Sequence, residues 1–157
     1  WQWLINDSKQ LTPTKREYIF NHLQESAHSI GVGESSAKEI DDLGIAPATR
    51  LAIVRALESL PLKPQFLLLD AFPLPESKIP QKAIVHGDSI SISIASASIV
   101  AKVIRDRIMT EFGNCYPNYG FEKHKGYGTK EHMMKLELHG PCNIHRFSWK
   151  PLRDISY

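Results

Sequence analysis

The stretch Phe66-Leu67-Leu68-Leu69-Asp70 decides the fold class, because it joins a short apolar run to an acidic residue. Pro61 and Pro64 stand before it, and a short apolar run that follows such breakers is typical of a strand buried in a sheet. A second short strand is predicted at Ala83-Ile84-Val85, which stops at Gly87-Asp88. Two strands that each lead to an aspartate therefore form the predicted centre of the molecule.

Helical patterns surround these strands. Thr12 followed by Pro13 is a helix start, and the first helix is predicted to run to about Glu25. A short strand is predicted at residues 27–33 and an acidic helical turn at residues 37–42. One further helix is predicted before Pro61, with the apolar residues Ala48, Leu51, Ala52 and Ala56 on one face. Another is predicted to begin at the N-cap Thr129 and to carry Met133 and Leu136. The alternation of strands and helices predicts an α/β fold.

The longest predicted helix follows Asp88. Its apolar residues recur at the helical period of about 3.6. They are Ile94, Ala97, Ala101, Ile104 and Ile108, and the opposite stripe holds Ser98, Lys102, Arg105 and Met109. The small residues at 95–98 would let the first turns lie close to a sheet or to a bound backbone.

Composition indicates one folded domain, since the 157 residues are 42% hydrophobic and 23% charged. The net charge of +2 does not by itself indicate a nucleic-acid partner, but the basic residues concentrate in the C-terminal half, which could follow a phosphate backbone. The apolar stretches are too short to cross a bilayer. Cys115 and Cys142 lack the spacing of a metal or disulfide framework, so we expect free thiols in a soluble, cytoplasmic protein.

Asp70 and Asp88 are the first candidates for chemistry. Ligand sites of α/β proteins form outside the carboxyl ends of the strands, and each aspartate is predicted at such an end. Gly87 would let the backbone turn so that Asp88 points towards Asp70. Hard carboxylate oxygens suit magnesium, which keeps several waters and shares its remaining positions with substrate phosphates. A turn-forming role for Asp70 at the strand exit is the alternative.

Other polar features have simpler interpretations. Asp106 lies between Arg105 and Arg107, where local ion pairing favours a structural or supporting role. Several histidines share the C-terminal half with the two cysteines, but none has zinc-ligand spacing, so zinc is not expected. These histidines are His124, His132, His139 and His145. Residues 123–128 mix bases, glycines and a tyrosine, which suits either a loop on a sugar-phosphate chain or an ordinary surface loop.

Taken in order, the phrases of this chain resemble the bacterial ribonuclease HII family over nearly its whole length. The matching phrases are Asn6-Asp7-Ser8-Lys9-Gln10-Leu11, Phe66-Leu67-Leu68-Leu69-Asp70, Gly87-Asp88 with Ile94-Ala95-Ser96-Ala97-Ser98-Ile99-Val100-Ala101-Lys102-Val103, Arg105-Asp106-Arg107, Tyr119-Gly120-Phe121, Lys123-His124-Lys125-Gly126-Tyr127, Thr129-Lys130-Glu131-His132 and His145-Arg146. The resemblance implies a single domain over residues 1–157 with a ribonuclease H-like mixed sheet flanked by helices. It also implies that the first strands are absent from this chain.

The resemblance implies a two-metal endonuclease that hydrolyses the RNA strand of RNA:DNA hybrids, including single ribonucleotides embedded in DNA. The products would carry 3′-hydroxyl and 5′-phosphate ends, and the ions would be Mg²⁺ or Mn²⁺. Two of the family's four carboxylates match Asp70 and Asp88. The expected partner is an RNA:DNA hybrid or a DNA duplex containing ribonucleotides. The protein is expected to be a monomer and not to bind a membrane.

The same resemblance assigns residues to the nucleic acid. Tyr127 matches the tyrosine that packs at the sugar beside the scissile ribonucleotide. The basic residues expected to contact nucleic acid are Lys9, Lys102, Arg105, Lys125 and Arg146. A structural or supporting role is expected for Asp7, Ser8 and Asp106.

One departure from the family pattern concerns the other two carboxylates. They form an adjacent Asp-Glu pair in an Asp-Glu-Ala-Gly-Arg-Gly phrase, which in the family precedes the Asp-Ser-Lys motif by a few tens of residues. The chain begins at Trp1, six residues before Asp7, and contains neither an Asp-Glu pair nor Gly-Arg-Gly. We expect an N-terminally truncated enzyme that is inactive as it stands. A non-catalytic module that binds RNA:DNA hybrids is the alternative.

Overall fold

The computed structural model describes residues 5, 8 and 10–153, in which eight helices and two strands follow one another. They are α1 (Pro13–Ser26), α2 (Ala37–Leu43), α3 (Ile45–Glu58), β1 (Leu67–Asp70), β2 (Gln81–Ile84), α4 (Gly87–Ile90), α5 (Ile92–Cys115), α6 (Phe121–His124), α7 (Lys130–His139) and α8 (Lys150–Arg153). None of the helices in these described residues is both long and apolar enough to cross a membrane.

The two strands pair in parallel, in a register that sets Leu67 opposite Gln81 and Asp70 opposite Ile84. Both predicted strands are therefore confirmed, although β2 begins two residues before the predicted segment and ends before Val85. Because parallel strands run in the same direction, their carboxyl ends reach the same edge of the sheet. Asp70 is the last residue of β1, as predicted.

Alternation along β1 places one of its faces in a core. Leu67 and Leu69 are buried together with Leu74, while Leu68 between them is exposed, as the two-residue period of a strand requires. Partly buried residues pack against this cluster, mainly from α3; they are Ile53, Val54, Leu57 and Ile79. Helix α3 therefore covers the inner face of the strand that ends in Asp70.

The chain divides into two compact units, each of which has its own core. Unit 1 takes in the chain up to Glu34 together with Arg50–Ile104, and unit 2 takes in Ser35–Thr49 together with the chain from Arg105 onward. The expectation of a single ribonuclease H-like domain stays a prediction.

In unit 1, helix α1 packs against α5. The side chain of Thr12 accepts a hydrogen bond from Lys15 N–H and Pro13 opens the helix, so the predicted N-terminus is confirmed. The buried residues of this core are Ile19, Phe20 and Leu23 of α1 with Ile99, Val100 and Val103 of α5.

The prediction of a strand at residues 27–33 is wrong. This segment is irregular and lies against α3, where the Val32 N–H donates to Ser59 Oγ at 3.0 Å. A Cβ on Gly33 would stand 2.1 Å from the carbonyl oxygen of Ala52, and one on Gly31 would stand 2.2 Å from that of Ala56. Glycine is needed here because the segment approaches a helix backbone more closely than any side chain would permit.

Helix α5 forms as predicted, but only part of its predicted apolar face is buried: Ile94 is buried and Ile104 packs against the core. Ala97 and Ala101 are exposed, whereas Val100, Val103 and Met109 are buried. Alanine removes little apolar area from water, so the larger residues decide which side faces the core.

Unit 2 is built around an aromatic core. Its buried members are Met109, Tyr119, Phe121, Leu136 and Leu152. Thr129 caps α7 by accepting from His132 N–H, as predicted, and the short helix α8 follows. Ser36 and Glu39 form a capping box at the start of α2, which confirms the predicted acidic turn.

Candidate active site

The carboxylate edge, which we define as Asp70, Gly87 and Asp88, lies where both strands end. Asp70 Oδ1 accepts a hydrogen bond from Gly87 N–H at 2.8 Å, and α4 begins at Gly87 directly after β2. A Cβ on Gly87 would stand 2.5 Å from Ile94 Cδ1 and 3.4 Å from Asp70 Oδ1, so a side chain here would have to displace the end of Ile94. Gly87 therefore binds Asp70 and directly precedes Asp88, so the turn at Gly87 links the two aspartates.

The backbone is strained on both sides of this edge. Ala71 has a φ of 66° and His86 a φ of 55°, which lie in the left-handed region that residues other than glycine rarely adopt. Such conformations cost on the order of 1–3 kcal/mol and concentrate at functional sites. The third such residue within the described chain, Lys125 at a φ of 52°, lies two positions before Tyr127. All three strained positions within the described chain are therefore predicted site residues or lie within two positions of one.

The donor set at the carboxylate edge fits a hard cation in part. Asp70 is exposed and Asp88 half-buried, and the second oxygen of Asp70 has no hydrogen bond within the described residues. Within the part of the chain that the structure describes, Asp88 makes one long contact, at 3.5 Å, with Ser89 Oγ. Among the described residues, however, no group of three or more histidine, cysteine or acidic side chains could hold a metal ion. Two carboxylates of the type that Mg²⁺ prefers are present, and further ligands would have to join them.

Ser8 lies in the core of unit 1 rather than at its surface. Its Oγ is 2.8 Å from Ser98 Oγ on α5, and its carbonyl accepts from Arg16 Nη1 at 2.9 Å. Arg16 is itself buried and also donates to Leu11 O. This arginine, which sequence reasoning missed, anchors the segment before α1, consistent with the structural role predicted for Ser8.

Four other predicted residues are placed less completely. Asp7 and Lys9 lie outside the described residues. Lys102 and Asp106 are half-buried on α5, and the Asp106 carbonyl accepts from Thr110 Oγ1 at 2.8 Å as part of the helix. The structure does not test the roles predicted for any of them.

In unit 2, Arg105, Lys125 and Tyr127 come together at the Tyr127 loop, which we define as residues 124–128. Arg105 Nη2 donates to Lys125 O at 3.1 Å, and its guanidinium carbon lies 5.9 Å from the centre of the Tyr127 ring. The Lys125 ammonium donates to Thr110 Oγ1 and Glu122 O, so it is held against its own unit. Tyr127 is 55% exposed.

Arg146 lies near an acidic residue of the same unit. Asp41 accepts hydrogen bonds from the backbone N–H groups of Phe147 and Ser148, at 2.8 and 2.9 Å. Burial alone would raise the pKa of Asp41, but the bonds from Ser148 and Phe147 and the charge of Arg146 lower it below its ordinary value. The predicted phosphate contact therefore already has a negative neighbour.

A buried group of three imidazoles, which we call the histidine cluster, escaped sequence reasoning. It consists of His124, His132 and His145, which are 8%, 2% and 6% exposed. His124 stacks on His132 with ring centres 4.3 Å apart, and His132 Nε2 is 3.1 Å from His145 Nε2. His132 shares a helical face with Leu136, and this four-residue spacing was the one available sign of its burial.

Comparison with known proteins defines the class of this arrangement first. The chain superimposes on the crystal structure of the ribonuclease H2 from Pyrococcus horikoshii OT3 with a TM-score of 0.75 and 28% sequence identity. The match covers 95% of this chain and 78% of that one. The fold is therefore the α/β, ribonuclease H-like fold that the sequence predicts.

The particular family follows from the sequence. Residues 3–152 match the model of the ribonuclease HII family, and the chain belongs to that family. It is 53% identical over 150 residues to the ribonuclease HII of Desulfitobacterium hafniense, covering 96% of this chain but 58% of that protein. It is 50% identical over 155 residues to the ribonuclease HII of Dehalococcoides mccartyi, covering 99% of this chain and 74% of the relative. The resemblance read from the sequence is thus confirmed.

Proposed function

We propose that the protein to which this chain belongs hydrolyses the RNA strand of RNA:DNA duplexes and cuts beside single ribonucleotides embedded in DNA. The observation that carries the proposal is the carboxylate edge, in which Asp70 binds the N–H of Gly87 directly before Asp88, in a chain of the ribonuclease HII family. Ends with a 3′-hydroxyl and a 5′-phosphate are the expected products.

Asp70 and Asp88 would hold part of a divalent metal site, with Mg²⁺ or Mn²⁺ as the ion. When bound, two such ions supply activation of water and stabilisation of the charge on the departing oxygen. The hydrogen bond from Gly87 keeps the Asp70 carboxylate oriented, so less reorganisation is needed when a cation arrives. Asp88 is held by the first turn of α4, directly after the strained His86.

The basic residues and Tyr127 would bind the nucleic acid. Lys9, Lys102, Arg105, Lys125 and Arg146 are proposed to contact phosphates, which fixes register without reading sequence. Tyr127 is proposed to pack on the sugar beside the scissile ribonucleotide, where the 2′-hydroxyl distinguishes RNA from DNA. Its exposed ring and its close neighbour Arg105 support this role.

A non-catalytic, hybrid-binding module is the second candidate. It is favoured by one observation, that the described residues offer two neighbouring carboxylates and no larger ligand group. The bare carboxylates at one edge oppose it, because without a cation they repel a phosphate backbone.

The test uses an extended chain, in which a segment carrying the family's Asp-Glu phrase is joined to the N-terminus. A DNA duplex with one ribonucleotide, a long RNA:DNA hybrid and an all-DNA duplex are each incubated with the extended chain in Mg²⁺, and the termini are mapped. Cuts on the 5′ side of the ribonucleotide with 3′-hydroxyl ends support the enzyme. Tight binding of the first two substrates with no cleavage in either Mg²⁺ or Mn²⁺ would establish the binding module instead.

A further inference from the structure

The histidine cluster of unit 2 contains six ring nitrogens, and each of them lies within 3.2 Å of a hydrogen-bond partner. A neutral imidazole has one N–H donor and one acceptor nitrogen, so the partners determine which nitrogen carries the proton. Because buried polar groups need matching partners, the pattern of donors and acceptors can be followed from ring to ring.

His132 sets the direction of the pattern. Its Nδ1 is 3.0 Å from the carbonyl oxygen of Tyr127, which can only accept, so Nδ1 carries the proton. Its Nε2 is then an acceptor, and the group that faces it at 3.1 Å, His145 Nε2, must be a donor. His145 Nδ1 is left as an acceptor and receives the N–H of Cys142 at 3.0 Å.

His124 completes the set from the other side of the loop. Its Nε2 lies 2.7 Å from the carbonyl of Tyr119 and donates to it, and its Nδ1 accepts the N–H of Gly126 at 3.2 Å. The backbone carbonyl of His124 also accepts the N–H of Tyr127 at 2.9 Å. All three rings are satisfied as neutral imidazoles with one proton each.

One other arrangement has to be weighed. His145 Nδ1 also lies 3.2 Å from the carbonyl of Cys142 and could donate to it. That choice would bring the lone pairs of His132 Nε2 and His145 Nε2 face to face unless one ring took up a second proton. Burial lowers the pKa of both rings, to about 4 for His145, so an additional proton is disfavoured near neutral pH.

We propose that His132 and His145 are positioning residues that place Tyr127. A chain of N–H donors runs from Cys142 to His145, from His145 to His132 and from His132 to the Tyr127 carbonyl, while His124 holds the Tyr127 N–H. The Tyr127 backbone is thereby fixed on both sides, directly after Lys125 and Gly126, which both have positive φ. The ring remains exposed at the end of a rigid support, and the inference rests on the proposed role of Tyr127 at the substrate sugar.

The first test is spectroscopic and leaves the sequence unchanged. In the extended chain at pH 7, the nitrogen chemical shifts of the rings should show His132 protonated on Nδ1 and both His145 and His124 protonated on Nε2. Two adjacent histidines with opposite tautomers are an uncommon signature. Finding His132 protonated on Nε2, or charged, would overturn the proposed chain.

The second test compares two substitutions of the same residue. In His132→Asn the side-chain amide takes the place of Nδ1 and can still donate to Tyr127 O, whereas in His132→Gln the amide takes the place of Nε2 and loses that donor. Losing one hydrogen bond corresponds to about a tenfold effect at most. His132→Gln should therefore slow cleavage at a single ribonucleotide by up to about tenfold and shift the Tyr127 ring signals, while His132→Asn retains most of the rate. A purely structural histidine would lower the melting temperature in both variants without this difference in rate.

Tyr127→Ala separates this inference from the proposed function. If Tyr127→Ala slows cleavage but the two His132 variants do not differ from each other, the positioning role is wrong and the role of Tyr127 stands. If His132→Gln shifts the Tyr127 ring signals but neither it nor Tyr127→Ala changes cleavage, the support by His132 stands and the substrate role of Tyr127 is wrong.

Discussion

The carboxylate edge of unit 1 and the Tyr127 loop of unit 2 differ in how their polar groups are satisfied. In the loop, every ring nitrogen of the histidine cluster has a partner within its own unit. At the carboxylate edge, Asp70 uses one oxygen and Asp88 makes one long contact. Among the described residues, the rings of the histidine cluster are fully hydrogen-bonded, whereas both carboxylates keep an oxygen with no hydrogen bond.

The sheet of unit 1 also exposes apolar side chains. Four large hydrophobic residues around the sheet are 41–66% exposed, and they are Phe66, Leu68, Phe72 and Val85. A two-stranded sheet is marginal without further strands or packing on both faces. The comparison teaches that the Tyr127 loop is organised by contacts within its own unit, whereas the carboxylate edge has few partners among the described residues.

The largest expected effect comes from replacing a carboxylate of the carboxylate edge by an amide. Asp70→Asn and Asp88→Asn in the extended chain should each reduce cleavage on the order of a hundredfold or more, because an amide is a poorer metal ligand than a carboxylate. Duplex binding in Ca²⁺ should be largely retained. Asp42→Asn, which alters an exposed carboxylate paired with Lys38, is the matched control. Near-normal turnover by either edge variant would remove that residue from the metal site.

The exposed sheet surface predicts a difference in stability between the given and the extended chain. Covering the four hydrophobic residues would stabilise the fold by about 3 kcal/mol. This corresponds to a melting temperature higher by about 10 °C for the extended chain. Calorimetry of both chains checks the difference, and equal, sharp transitions would show that the surface needs no cover.

The histidine cluster predicts a loss of stability in acid. Burial lowers the pKa of His145 from 6.5 to about 4, and that of His132 is lowered as well, so below pH 6.5 the unfolded chain binds protons that the folded chain does not. The stability from this difference is complete above about pH 6.5 and is lost as the pH falls to about 4. For His145 the loss amounts to about 3 kcal/mol.

Urea unfolding between pH 7 and pH 4 measures this loss. His145→Gln should flatten the dependence on pH, and His28→Gln, at an exposed histidine, serves as the matched control. If both variants kept the full slope, the cluster would not be the origin of the acid sensitivity.

Tyr127 predicts an effect on substrate choice. Stacking of an aromatic ring on a nucleotide is worth roughly 1–3 kcal/mol, so Tyr127→Ala should slow cleavage at a single ribonucleotide by on the order of tenfold to a hundredfold. Tyr127→Phe should retain nearly the full rate if only the ring matters, and an intermediate rate if the hydroxyl contributes. An unchanged ratio between single-ribonucleotide and long-hybrid substrates for Tyr127→Ala would refute the recognition role.

The sequence predicted those parts of the fold that depend on local patterns. The apolar run before Asp70, the cap at Thr12 and the cap at Thr129 each specify an element from adjacent residues alone. The prediction of a strand at residues 27–33 was wrong because the glycines there allow a close approach to α3, which is a tertiary contact. The prediction of the buried side of α5 was wrong at Ala97 and Ala101, because alanines fit the helical period without contributing much to burial.

For the candidate site, the sequence proposes a set of residues but does not reveal their contacts. Asp70 and Gly87 are 17 positions apart, and His132 and His145 are 13 apart, so no local pattern reveals their hydrogen bonds. Spacing rules for histidine describe metal sites and not chains of neutral imidazoles, so they did not reveal the histidine cluster. Arg16 escaped because a buried arginine that binds backbone carbonyls resembles an ordinary charged residue in a helix.

The most direct test of the contrast between the two regions compares cleavage rates in Mg²⁺. The 157-residue chain and the extended chain are assayed at equal concentration on a duplex containing one ribonucleotide. We expect turnover by the extended chain and none above background by the 157-residue chain, because two carboxylates do not complete the metal site. Equal rates for the two chains would contradict the account, since the carboxylate edge would then be sufficient by itself.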